Sequence, residues 1–330
     1  MSVLVTGAGL VGSQIARELA ARGETPVLYD AAPNVRAVGD IVAVNRVKLV
    51  SGDVLDLPLL LQVIRTEKVD RIIHTAGLLV PGVARNPLAG VRVNVEGTVT
   101  VLEAARLERV QRVVFASSGT VYISAYPSFA GPMAEDFPLR VLGERPRMLY
   151  AATKLFCEWM GLSYRDEFGV DFVAVRFDSV FGPWRGSPGG RFSRLMQQLM
   201  GGAARGERVI VDPSYTWAGG DQFVYSKDAA HGAVLAAFAD PARLRTRVYN
   251  VGMGRLYRFD EIVQLVTQRY PHADLVVQGV VQTGLGGAPI RHHAYDMTAA
   301  REELGFVPEY DMERALADFD AWLARCPAHA

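Results

Sequence analysis

Short, wholly apolar runs alternate with longer amphipathic stretches through the first half of the chain. Residues 3–6, 26–29, 47–50, 71–75, 112–116 and 171–177 read as strands. Between them, residues 13–21, 57–65, about 91–106 and about 150–167 carry the three-to-four-residue apolar spacing of helices. Strands with no polar face need cover on both sides, which a parallel sheet flanked by helices provides. The alternation predicts an α/β fold, a doubly wound parallel sheet with right-handed crossovers.

After Phe177 the texture changes. Residues 181–191 are rich in glycine and proline, and residues 212–220 and 278–289 show no clear periodicity. Helical patterns return at 227–238, 259–268 and 312–323, with a strand at 247–251. A smaller C-terminal α/β lobe follows from this. We assign residues 1–178 plus about 226–255 to a nucleotide-binding domain, and about 179–225 plus 256–330 to a substrate-binding lobe.

The first strand runs into Gly7-Ala8-Gly9-Leu10-Val11-Gly12 and then a helix. Gly7 permits a tight turn, Gly9 lets backbone approach a pyrophosphate, and Gly12 lets helix and strand pack closely. Free N–H groups at the helix start, including those near Leu10 and Val11, attract phosphate. Strand two ends on Asp30, 18 residues after Gly12. An acid there accepts ribose hydroxyls and repels a 2′-phosphate, so the expected cofactor of this Rossmann domain is NAD. Asp53 and Val54 after strand three fit an adenine contact, and Ala76 and Gly77 after strand four leave room for a ribose.

Composition narrows the picture. The 330 residues carry 35 basic and 35 acidic side chains, which argues against a nucleic-acid partner. No apolar run reaches the roughly 20 residues of a membrane span, and the first residues do not resemble a signal peptide. A soluble, cytoplasmic enzyme with two free thiols, Cys157 and Cys326, is the expectation. Neither cysteine has metal-ligand spacing, and no metal is expected. His74 and His231 are expected to serve structure and packing. Only four of the 35 basic residues are lysines (48, 68, 154 and 227), and the other 31 are arginines.

One of those lysines matters. Tyr150 and Lys154 stand four apart at the start of a helix, and so share a face. An adjacent ammonium is expected to lower the phenol's pKa, letting Tyr150 exchange a proton with a secondary alcohol while hydride moves to or from a nicotinamide. Strand five ends in Ser117-Ser118-Gly119-Thr120, placing a hydroxyl where it can hold the same oxygen.

These motifs together resemble the extended short-chain dehydrogenase/reductases of the NAD-dependent epimerase/dehydratase group. The resemblance spans the chain through Thr6-Gly7…Gly12, Asp30, Asp53-Val54, residues 74–77, 94–98 and 117–122, Tyr150-xxx-Lys154 and residues 176–183. It implies Tyr150 as acid/base, Lys154 as ribose ligand and pKa shifter, and Ser118 as donor to the substrate oxygen. It further implies Ser117 and Asn94 beside the cofactor, with Asn94 bracing the site, and backbone near Val180 holding the carboxamide. Leu79, Thr120 and Ser179 would line the substrate. A homodimer through the helices that start near Val91 and Tyr150 is implied as well.

The departures carry information. Dehydratases of the group have an Asp-Glu pair where this chain has Gly119-Thr120, so dehydration is not expected. Members that hold a nucleoside diphosphate usually have Arg-Asp-Phe/Tyr where this chain reads Asp221-Gln222-Phe223, and an aspartate repels a diphosphate. Arg185, Arg191 and Arg291 are candidate substitutes. The leading expectation is therefore an NAD-dependent oxidoreductase of carbohydrate metabolism acting on a small sugar, sugar acid or hydroxy acid. The alternative is a nucleoside-diphosphate-sugar epimerase that retains NAD. A third is a catalytically silent nucleotide-binding regulator.

Overall fold

A computed structural model describes residues 1–126, 131–139, 147–186 and 189–326. Seven parallel strands form the central sheet: β1 (Ser2–Thr6), β2 (Thr25–Asp30), β3 (Lys48–Ser51), β4 (Val69–His74), β5 (Arg112–Ser118), β6 (Phe172–Phe177) and, later in the chain, β11 (Val248–Val251). From one edge the order is Val248–Val251, β6, β5, β4, β1, β2, β3. All pairings are parallel. Direction along the sheet reverses between β1 and β4, which opens a crevice beyond their carboxyl ends.

Two hydrophobic layers sandwich the sheet. On one face, helix α1 (Leu10–Ala21) packs Ile15, Ala16 and Leu19 against Val3 and Val5. On the other, α3 (Leu57–Glu67, after the short α2, Val35–Gly39) shares a core with α6 (Gly97–Leu107) and α7 (Leu149–Phe168). Each fully buried Leu or Ile contributes roughly 1.5–3 kcal/mol. Two short helices, α4 (Val80–Arg85) and α5 (Pro87–Val91), precede α6. The step from α5 to α6 passes through a π-helical turn, Arg92–Glu96, inside the continuous helix that the sequence pattern suggests. Helix α7 stops at Gly169, whose φ of 74° suits the left-handed cap, with Gly169 N–H donating to the Arg165 carbonyl.

The rest of the chain builds a second core. Helix α8 (Arg191–Ala204) turns Phe192, Leu195, Met196 and Leu199 inward. It packs with Trp217, Phe223, Tyr257 and the closing helices α10 (Phe259–Arg269) and α11 (Met312–Arg325). The sequence pattern did not predict α8, although its apolar residues recur at helical spacing. Its strands are tiny: β7 (Ser179–Phe181) pairs with β10 (Phe223–Tyr225), β8 (Val209–Val211) with β13 (Leu275–Val277), and β9 (Gly220–Asp221) with β12 (Tyr257–Arg258). Helix α9 (Ser226–Phe238) returns to the large sheet and packs on α1. There His231 meets Glu18 at 2.9 Å, so this partly exposed histidine is a hydrogen-bond partner and not mere packing. Cys157 and Cys326 are both free. No helix among the described residues is long and apolar enough to cross a membrane.

Candidate active site

The crevice between β1 and β4 is shaped by glycine. Gly7 adopts φ 88°, and a Cβ there would fall 2.8 Å from the Ala76 amide. A Cβ on Gly12 would fall 1.8 Å from the Gly7 carbonyl. Gly9 differs, because a Cβ there would meet nothing within 4 Å. That open space lies at the start of α1, whose first turn has no side-chain cap. Leu10 and Val11 pack against the core and leave their backbone at this end. The free N–H groups and the open approach fit a dinucleotide pyrophosphate.

Asp30 reaches back over the turn. Its carboxylate accepts the Ala8 and Ala32 amides, each at 2.8 Å. Asp53 is exposed and accepts the Leu55 amide at 3.0 Å. Val54 is buried and packs on α6, where a Cβ on Gly97 would come within 2.7 Å of it. Ala76 is partly buried and Gly77 exposed at the end of β4, opposite the glycine turn. These residues surround a place that fits a dinucleotide.

Ser118 ends β5 and Tyr150 lies in the first turn of α7, with the Ser118 hydroxyl near enough to the phenol to influence its titration. Thr120 donates to Ser118 Oγ from its amide at 3.2 Å and from its hydroxyl at 3.0 Å. With both lone pairs engaged, the Ser118 hydroxyl is directed to act as a donor. Burial pushes the Tyr150 phenol up to about 12, with Ser118 pulling it down. Lys154 sits 5.8 Å from the Tyr150 ring centroid and donates to the Ala116 carbonyl at 2.7 Å. Burial lowers its ammonium to about 8, against the raising influence of Cys157 and Glu158. The expected lowering of the phenol by Lys154 is thus absent from the chain alone. Desolvation outweighs it, and the resting pair at neutral pH is phenol plus ammonium.

Asn94 lies in the π-helical turn and exchanges hydrogen bonds with Leu78. Its Oδ1 accepts the Leu78 amide at 2.7 Å and its Nδ2 donates to the Leu78 carbonyl at 3.0 Å. The side chain is buried and braces the loop after β4, with a weaker contact to Thr153 at 3.4 Å. Ser117 departs from the expectation. Strand alternation turns its side chain away from Ser118, and its hydroxyl donates to buried Glu158 at 2.5 Å. His74 is buried between Thr6 at 2.6 Å and Thr98 at 3.0 Å. Burial and then Lys154 lower it to about 3, so it is neutral and structural, as the sequence suggested.

On the substrate side the residues scatter. Leu79 is exposed at the start of α4, near Gly189. Ser179 and Val180 are partly buried in β7, with Val180 packed on the sheet core. Arg185 turns away to the Cys326 carbonyl, Asp40 and the Trp322 ring. Arg191 donates to the Ser214 carbonyl and lies over Tyr215. Arg291 does approach the site, but it is buried and engaged by Asp178 at 2.9 Å, Asp221 at 3.4 Å, Tyr126 at 2.7 Å and Tyr295 at 2.9 Å. Burial, countered by Arg291, pushes Asp178 up to about 7. Tyr295 also donates to the Gly119 carbonyl at 2.9 Å, which ties this cluster to the loop after Ser118. Sequence reasoning missed Asp178, Tyr126 and Tyr295. A sequence signal existed for Asp178 alone, a charged residue placed directly after the buried strand Phe172–Phe177. Among the described residues no group of side chains could hold a metal ion.

Comparison with known proteins agrees with this geometry. The family model for the NAD dependent epimerase/dehydratase family matches residues 3–252. UDP-glucuronate 4-epimerase 1 of Arabidopsis thaliana is 27% identical over 98% of this chain and 76% of its own. UDP-glucose 4-epimerase of Dictyostelium discoideum is 27% identical over 98% of this chain and 96% of its own. The crystal structure of UDP-glucose 4-epimerase from Brucella ovis in complex with NAD superimposes with a TM-score of 0.78, at 27% identity, covering 97% of each chain. The chain belongs to the NAD-dependent epimerase/dehydratase family of short-chain dehydrogenase/reductase enzymes.

Proposed function

We propose that the protein is a nucleoside-diphosphate-sugar epimerase that inverts a secondary alcohol through a transient ketone. One observation carries the reading: Ser118, Thr120, Tyr150 and Lys154 converge beside the dinucleotide crevice, in a chain that aligns over 98% of its length with 4-epimerases. This reverses the order expected from sequence, where net oxidation of a small substrate led.

The residues divide the work. Gly7, Gly9, Gly12 and the start of α1 would hold the pyrophosphate, Asp30 the adenosine ribose, and Lys154 the second ribose. Bound NAD supplies a reversible hydride acceptor. Ser118 donates to the reacting oxygen, and Tyr150, after first releasing its own proton to become a phenolate, takes the hydroxyl proton as the carbinol becomes a ketone. The ketone then turns over in the pocket, and Tyr150 returns the proton once the opposite face has been reduced. Residues 1–178 with about 226–255 carry the cofactor, and the remaining segments shape the sugar pocket.

The apolar side chains Leu88, Val91, Leu149, Phe156 and Trp159 are exposed on neighbouring α5 and α7, with Trp159 at 74%. They support a homodimer through this face.

A second reading, net dehydrogenation of a small substrate, rests on Asp221 and on the internal pairing of Arg291, which leave less positive charge for a diphosphate. Purified protein incubated with UDP-sugars separates the two. An epimerase interconverts the sugars with no net rise in NADH absorbance. Stoichiometric NADH from a small alcohol, with UDP-sugars untouched, would sink the first reading.

A further inference from the structure

Tyr150, Lys154 and Glu158 stand at four-residue intervals on α7, and all three are buried. Lys154 and Glu158 grip consecutive residues of β5. Lys154 donates to the Ala116 carbonyl at 2.7 Å, and Glu158 accepts from the Ser117 hydroxyl at 2.5 Å. Arg176 on β6 lies in register with Ser117 and completes the arrangement. Its Nε donates to Glu158 Oε1 at 2.9 Å and its Nη2 to Oε2 at 2.7 Å, a two-pronged pair with side chains only 6% and 3% exposed. The remaining Nη1 donates to Tyr122 Oη at 2.6 Å and to the Glu135 carbonyl at 2.9 Å. Tyr122 passes the chain on to Asn250 at 2.9 Å.

A pair this deep is poorly explained by stability, because apolar residues of similar volume hold helices to strands as well or better. What apolar residues cannot supply is charge. We propose that Glu158 and Arg176 are positioning residues that lock α7 onto β5 and hold their ion pair with the carboxylate end on the Lys154 side, one turn away, helping to keep that lysine an ammonium in a desolvated site. Glu158 is not among the groups that bear on the Tyr150 phenol, and acts on the site through Lys154 and through its hold on Ser117 of β5.

The charged and titratable groups around Lys154 are few. Cys157 and Glu158 face it from its own helix, His74 from β4, Tyr150 from one turn earlier, and Arg176 and Tyr122 from behind Glu158. Glu135 lies beyond Arg176. Burial alone drives Lys154 downward, and Glu158 is one of two groups that oppose it. Removing that carboxylate should move the lysine's titration further down.

The test uses the small lysine count. With lysine labelled by carbon-13 at the ε position, the full chain shows four signals, and Lys154→Met assigns one. Glu158→Gln should lower the Lys154 midpoint by on the order of one pH unit. Arg176→Lys, which keeps both charges, should leave it in place. The double variant Glu158→Gln/Arg176→Met, which leaves no unpaired buried charge, should fall between wild type and Glu158→Gln. A Glu158→Gln curve that overlays wild type overturns the proposal, as does an Arg176→Lys shift of equal size. If Glu158→Gln does not fold, a double-variant midpoint equal to wild type overturns it.

The consequence for turnover rests on the proposed function: Glu158→Gln should lower kcat about tenfold with little change in sugar KM. The titration is read without substrate or cofactor. Midpoints that move as expected in a protein inactive on every sugar would sink the functional reading and leave the pair's role standing. Unmoved midpoints in an active epimerase would do the reverse.

Discussion

Thr120 directs both its amide and its hydroxyl at the single oxygen of Ser118, at 3.2 and 3.0 Å. Ser118 is thereby left one role, donation. Thr120→Val keeps the amide bond and the shape but removes the hydroxyl, and should reduce kcat about tenfold with little effect on KM. Thr120→Ser should restore most of the rate. Tyr150→Phe should reduce kcat by about 10³-fold. Steady-state kinetics on the active sugar checks all three.

Gly9 and Gly12 should fail differently. A Cβ on Gly9 enters open space, whereas one on Gly12 meets the Gly7 carbonyl at 1.8 Å. Gly9→Ala is expected to melt within a degree or two of wild type and to bind NAD about tenfold more weakly or worse. Gly12→Ala should melt well below wild type. Calorimetry and cofactor titration, run side by side, distinguish steric conflict with the cofactor from conflict within the fold.

Lys154 is held in a site that disfavours its charge, lowered from 10.5 to about 8 by burial. Below about 8 the folded protein carries that desolvated ammonium, at a cost on the order of 3 kcal/mol. Lys154→Met should therefore raise Tm while abolishing turnover, and the gain should vanish as pH rises from about 8 towards 10.5, where wild type recovers stability. A variant that loses stability at pH 7 would contradict this.

His74 gives the opposite limb. Its folded value is depressed from 6.5 to about 3, so its contribution is complete above 6.5 and drains away as pH falls towards 3. Asp178 and Asp228, raised to about 7 and about 6, work against it over part of the same range. The difference between wild type and His74→Gln isolates the histidine. Denaturant unfolding should show wild type losing more stability than the variant between pH 6.5 and 4.

Trp159 is 74% exposed on α7, which also exposes Phe156 and Leu149. Trp159→Glu should convert a dimer to a monomer in light scattering while leaving the circular dichroism spectrum unchanged. A monomeric wild type would refute the assembly.

Most of the large sheet was legible because its strands are buried on both faces and cannot disguise themselves with polar alternation. Ser118, Tyr150 and Lys154 were legible because their spacing follows from helix and strand geometry. The second lobe was not. Its strands run two or three residues, too short to show a period, and α8 follows a glycine-rich loop and carries Gly201-Gly202 within its last turn. Arg291 was named, but its ties to Asp178 and Asp221 join positions more than 65 residues apart in the chain, which no local pattern records. The pKa of Tyr150 went astray for a related reason. Sequence shows that a lysine is near, but not how dry the site is.

The alternation of β5 gives its two adjacent serines unrelated duties, one in the crevice and one on Glu158. Identical letters in a sequence are therefore not interchangeable parts here. Inserting or deleting a single residue anywhere in this strand would exchange the reagent for the anchor, leaving composition and hydrophobicity almost untouched while dismantling the chemistry.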